Sequence, residues 1–171
     1  MLEIDASIRS FLMPDDSAAA KLALLDMARA RAEKFLLMYE GSMPELWYSL
    51  IASNSPTTRT HVFADSSLAA RPAEHATLRD LQQHGCEVVI GSSPIGRRCI
   101  VHSKILTVAP VGEMGQGLTW EGSTNFSEAS WLESNSAIIV QSTAYHAWVK
   151  AYWLKLAAWA AVNEPDMQLA A

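Results

Sequence analysis

Short apolar runs recur along the chain, each separated from the next by a segment with helical spacing, and that alternation limits the folds open to it. Residues 34–39, 60–64, 87–90 and 137–141 are short and largely apolar, and they read as strands. Residues 18–32, 45–52, 72–84 and 144–162 carry helix-forming patterns. Pro72 suits the first turn of its helix, and Gly85 is a natural stop. Residues 2–12 read as a further short helix, with Ile4, Ile8, Phe11 and Leu12 on one side. Pro14-Asp15-Asp16-Ser17 breaks it and offers an N-cap to the next helix, whose stripe is Leu22, Leu25, Ala28 and Ala32. The last helix has the stripe Tyr145, Trp148, Val149, Tyr152, Leu156 and Trp159, expected in the core or at a dimer contact. Strands alternating with helices predict an α/β fold, a mixed β-sheet flanked by helices on both faces.

With 171 residues, half of them hydrophobic, the chain can bury one substantial core. Its net charge of -5 supplies no global positive field, so a nucleic-acid partner would need a local basic patch. The first residues hold Glu3, Asp5 and Arg9 and no long apolar run follows, unlike a secretory signal. No stretch has the length and apolarity of a membrane span. The expectation is a cytoplasmic protein, or a mature form whose signal was removed. Cys86 and Cys99 lie in apolar, strand-like contexts and read as buried free thiols, and no Cys/His spacing suits a metal. His61, His75, His84 and His146 read as surface or helix-face residues, and the tail after Pro165 as frayed.

Two polar clusters interrupt this apolar pattern. His102-Ser103-Lys104 lies within a predicted strand over residues 98–108. Gly122-Ser123-Thr124-Asn125 ends a second predicted strand, 118–122, and residues 110–117, rich in glycine, read as the hairpin loop between them. Residues two apart in a strand share a face, so His102 and Lys104 point the same way, as Ser123 and Asn125 do if the extended geometry reaches Asn125. Neighbouring strands would bring an imidazole, an ammonium, a hydroxyl and an amide to one spot. That set can attack, protonate and hold a phosphoryl group.

These residues resemble the phospholipase D superfamily, whose motif is His-x-Lys, then four residues and Asp, then Gly-Ser with Asn shortly after. The element order is similar as well, and implies a helical segment at 1–33 followed by a phospholipase D-like catalytic domain at 34–163. The motif occurs once, as in small nuclease-like members that pair two identical chains around one active site. The resemblance therefore implies a homodimeric, metal-independent phosphodiesterase without cofactor, with nucleic acid as the first expected substrate. His102 of one chain would attack phosphorus and form a phosphohistidine. His102 of the partner subunit would protonate the leaving oxygen and then activate water. Lys104, Ser123 and Asn125 would stabilise the developing charge. The alternatives are a phospholipid-cleaving relative and an inactive binding or scaffold module of the same fold.

The sequence departs from the family pattern in three places. The family Asp falls at Ala109, and twelve residues separate Ala109 from Gly122 where about six are usual. Relatives often place a Glu just before the last strand to orient the nucleophilic His. That position is Asn135 here, with Glu133 two residues earlier as the candidate substitute. Arg97 and Arg98, just before the first motif, are candidates to meet a substrate phosphate.

Overall fold

The computed structural model describes residues 6–95, 100–112 and 115–169. Its strands are β1 Ser7–Leu12, β2 Lys34–Met38, β3 Thr60–Asp65, β4 Glu87–Gly91, β5 Lys104–Val108, β6 Leu118–Gly122 and β7 Ser136–Gln141. Its helices are α1 Ser17–Arg29, α2 Pro44–Ser53, α3 Ser66–Ala69, α4 Pro72–Gln83 and α5 Thr143–Asn163. The strands form one mixed sheet in the order β1-β7-β6-β5-β2-β3-β4. β2, β3 and β4 run parallel, and every other pairing is antiparallel. This is the expected α/β architecture.

Side-chain parity sorts the core into two layers. One face sets Leu36, Met38, Leu106, Trp120 and Ile139 against Leu24 and Ala28 of α1, Leu46 and Leu50 of α2, and Leu78 and Leu81 of α4. The other sets Phe35, Leu37, Phe63 and Ile105 against Val149, Trp153, Leu156 and Ala160 of α5. β2 and β5 are buried along their whole length, because both faces are covered. Gly91 permits a close approach of α5: a Cβ there would lie 2.8 Å from that of Ala160.

Several local expectations change. Residues 7–12 form an edge strand, not the helix expected over 2–12, because their backbone pairs with β7 in full register from Ser7–Gln141 to Leu12–Ser136. Only Phe11 of that strand is buried, so pairing rather than an apolar stripe dictates the conformation. The segment before residue 34 thus adds one strand to the sheet and one helix to its cover. Leu22 is exposed, and α1 buries Ala20, Leu24, Leu25, Met27 and Ala28 instead. The buried stripe of α5 is His146, Val149, Trp153, Leu156 and Ala160, while Trp148 and Tyr152 stack on each other outside. His61 lies face to face with Phe35, ring centroids 4.4 Å apart, and its Nδ1 meets Glu87 Oε2 at 2.7 Å. The tail is held: Gln168 bonds both the amide and the carbonyl of Ile90, satisfying the free edge of β4. Cys86 is a buried free thiol, whereas Cys99 lies outside the described residues. Among the described residues no helix is long and apolar enough to cross a membrane.

Lys34, at the start of β2, is fully buried and donates to Ala32 O at 3.0 Å. Burial pushes its pKa down from the ordinary 10.5 to about 8. The unfolded chain therefore binds more protons than the folded one between those values, and stability rises with pH across that window. Burial moves the Cys86 thiol the opposite way, from 9.0 up to about 11, which lowers stability as pH climbs from 9. The Lys34 effect is thus free of the opposing cysteine effect between pH 8 and 9. Lys34→Met should raise stability at pH 7 by about 1–2 kcal/mol and flatten the rise between pH 8 and 9, as read by urea denaturation. A loss of stability at pH 7 would refute this. Trp153→Ala should cost about 3–5 kcal/mol and Trp148→Ala less than about 1, so equal losses would mean that α5 packs in another rotation.

Candidate active site

The ends of β2 and β3 and the start of β5 lie together, since Met38 stands opposite Lys104 and β2 pairs in parallel with β3. β3 closes on Asp65, which is completely buried. Asp65 Oδ1 accepts the Ser67 amide at 3.0 Å, capping α3, and Oδ2 accepts the Val101 amide at 2.6 Å. That second bond fixes the approach to β5. Among the described residues of the strand predicted over 98–108, ladder bonds begin at Lys104, so His102 sits on an approach outside the ladder.

His102 and Lys104 are together. The Lys104 ammonium lies 2.7 Å from His102 Nδ1 and 2.9 Å from Nε2, and donates to the His102 carbonyl at 2.9 Å. Lys104 is only 3% exposed, whereas His102 is exposed. Burial lowers the Lys104 pKa, and the negative charge of Glu40 partly opposes that. Tyr39 backs the pair, its ring centroid 4.6 Å from that of His102 and 5.4 Å from the ammonium.

Asn125 reaches the same end of the sheet by another route. β6 stops at Gly122, so Ser123 and Asn125 are not carried on one strand face. Instead the Asn125 loop is stitched to the end of β2: the Phe126 amide donates to Glu40 O at 3.3 Å and the Ser42 amide to Phe126 O at 2.9 Å. Asn125 Nδ2 donates to Glu40 Oε2 at 3.0 Å. Ser123 turns toward β7, donating from its amide to Ser136 O at 2.9 Å and from Oγ to Asn135 Oδ1 at 3.1 Å. Gly122 makes that contact possible, since a Cβ would fall 2.3 Å from Ser136 O.

Glu133 is exposed and approaches Asn135 Nδ2 at 3.5 Å, not His102. Arg97 and Arg98 lie outside the described residues. Ala109 follows the far end of β5, where its amide donates to Glu33 O at 2.9 Å. At roughly 3.3 Å per residue it is about 16 Å from Lys104. A carboxylate at that position could not touch the pair directly.

Three residues of this end escape sequence reading: Tyr39, Glu40 and Asp65. Their signal is position, since polar groups that close an apolar strand sit where strand ends converge. Among the described residues no group of three or more His, Cys, Asp and Glu side chains gathers as a metal site.

This mixed seven-stranded sheet with helices on both faces matches the fold of phospholipase D-like structures. The structure is similar to Nuc, a phospholipase D family member from Salmonella typhimurium, with a TM-score of 0.72 at 18% identity over 89% of this chain and 94% of that one. NucT from Helicobacter pylori gives 0.72 at 14% identity over 89% of this chain and 96% of that one. TrmBL2, an archaeal chromatin protein whose structure shows a novel mode of DNA binding, gives 0.56 at 12% identity over 91% of this chain and 52% of that one. No family model matches the sequence, and no curated protein matches it.

Asp65→Ala should strip both backbone amides of their acceptor. The expected cost is about 1–3 kcal/mol in chemical denaturation, with faster hydrogen exchange at the Ser67 and Val101 amides. Unchanged exchange at Val101 would show that another group holds the approach to His102.

Proposed function

We propose that this protein is a metal-independent phosphodiesterase that cleaves nucleic acid, with two copies of the chain sharing one reaction centre. The observation that carries the reading is the His102–Lys104 pair. The Lys104 ammonium lies against both ring nitrogens, beside the atom that would attack phosphorus. Because the ammonium can only donate, a ring nitrogen facing it carries a lone pair, as a nucleophile must. An incoming phosphodiester draws the ammonium to its oxygens and frees that lone pair.

In the proposed reaction a ring nitrogen of His102 attacks phosphorus, and the bond to the leaving oxygen breaks as that oxygen takes a proton from His102 of the partner subunit. The same imidazole then removes a proton from water, which attacks phosphorus and breaks the phosphorus–nitrogen bond. Lys104 and Asn125 offset the charge gathering on the phosphoryl oxygens. Ser123 and Glu133 bond toward Asn135 and take no part in these steps, and Arg97 and Arg98 guide the anionic strand. Every step uses only side-chain donors and acceptors, so none calls for a metal.

A second reading, a nucleic-acid-binding module without turnover, is favoured by Asn135, which stands where relatives carry an orienting carboxylate and does not meet His102. Fold likeness to the chromatin protein TrmBL2 agrees with it. Incubation with single-stranded DNA, duplex DNA, RNA and phosphatidylcholine vesicles in EDTA separates these readings. We expect cleavage of a nucleic acid, a fall of at least about a thousandfold in His102→Ala and Lys104→Ala, and a dimer by sedimentation. Cleavage that survives in His102→Ala would refute the mechanism. Nucleic-acid binding without cleavage would favour the module, and hydrolysis of the vesicles alone the phospholipid reading.

A further inference from the structure

Of the two carboxylates at this site that reading the sequence does not single out, Asp65 and Glu40, only Glu40 bonds a side chain of the site. Glu40 lies two residues beyond Met38, and His102 two residues before Lys104, so they flank the same end of the β2–β5 ladder. Its backbone and its side chain are both engaged by the Asn125 loop, through Phe126 N and Asn125 Nδ2. The other carboxylates nearby are spoken for. Asp65 spends both oxygens on backbone amides, and Glu133 is exposed beside Asn135.

The amide of Asn125 shows what Glu40 does. Its Oδ1 is buried without a partner, an arrangement that costs on the order of 1–3 kcal/mol. Flipping the amide would set Oδ1 against Glu40 Oε2, oxygen against oxygen. The charge-assisted bond at 3.0 Å therefore selects the orientation, and leaves the second Nδ2 proton for a substrate oxygen. Lys104 meets the opposite problem, since burial disfavours its charge and only a neighbouring anion opposes that. Among the described residues the titratable groups around it are His102 on its own segment, Tyr39 and Glu40 at the end of β2, and Asp65 behind Val101. Ser123 and Asn125, from the β6 side, carry no charge.

We propose that Glu40 is the positioning carboxylate of this site: it orients the Asn125 amide and keeps Lys104 cationic, so that the orienting charge comes from the β2 flank and not from the position before β7. The inference rests on the phosphodiesterase reading above and deepens it. Glu40 acts through its neighbours and does not itself meet the phosphoryl group.

Glu40→Gln keeps the volume and an acceptor for Asn125 but removes the charge. It should fold as wild type by circular dichroism and lower kcat/KM at pH 7.5 by roughly ten- to a hundredfold. The alkaline limb of its pH profile should move to lower pH, because Lys104 loses its proton earlier. Glu40→Ala should lose more, the amide orientation going with the charge. Lys104 can also be followed without turnover, by NMR of protein labelled at the lysine ε-carbon, with Lys104→Arg assigning the signal. Titration at lower pH in Glu40→Gln than in wild type supports the proposal; identical titration curves overturn it, as would a variant with the wild-type pH profile. A wild-type protein that cuts nothing would refute the phosphodiesterase reading, while the titration would still decide the role of Glu40.

Discussion

The antiparallel pairing of β2 with β5 is the constraint from which the rest of the structure follows. Both strands are buried on both faces, and the register from Lys34–Val108 to Met38–Lys104 joins the two core layers. Strand side chains alternate, so a slip of β5 by one residue would send Leu106 to the α5 side and Ile105 to the other. The same slip would shift His102 and Lys104 together, with the Asn125 loop beyond β6, relative to Glu40 at the end of β2. The energy that holds the core thus also aligns the candidate site, and the site needs little structure of its own beyond the Asp65 bond and the stitches to Phe126.

That dependence explains which parts of the molecule were legible in the sequence. β2, β3, β4, β6 and β7 are continuous apolar runs or alternate cleanly, and their burial is local information. β1 was not legible, because its conformation comes from pairing with β7, more than a hundred residues away in sequence. In α5 almost every position is apolar, so periodicity alone cannot choose between the Trp148–Tyr152 side and the Trp153 side. At the site, the His102–Lys104 pair follows from spacing. Glu40 does not, since its relation to Lys104 exists only after β2 and β5 have paired.

The departures from the phospholipase D pattern also look different once placed in space. Ala109 sits at the opposite end of β5 from Lys104, so the missing Asp removes nothing from the candidate site. Asn135 matters more. It accepts from Ser123 and donates to the Ser130 carbonyl, which gives it a structural task at the start of β7. A sheet of this order offers two flanks from which charge can reach the head of β5, one through β6 and β7 and one through β2. Here the β2 flank carries the carboxylate.

Burial of a lysine is not by itself a mark of function, and this chain supplies its own control. Lys34 and Lys104 stand on the same face of the same ladder, at opposite ends, and both are buried. Both pay in desolvation, which lowers the pKa of each. Among the described residues, Lys34 has a single carbonyl for its ammonium and no polar side chain bonded to it. Lys104 faces an imidazole, a tyrosine ring and a carboxylate that in turn holds an amide. Replacing the first by an apolar side chain would relieve the core. Replacing the second would leave His102, Glu40 and Asn125 gathered around nothing, which is why the convergence of these groups, rather than the burial of the charge, marks the candidate site.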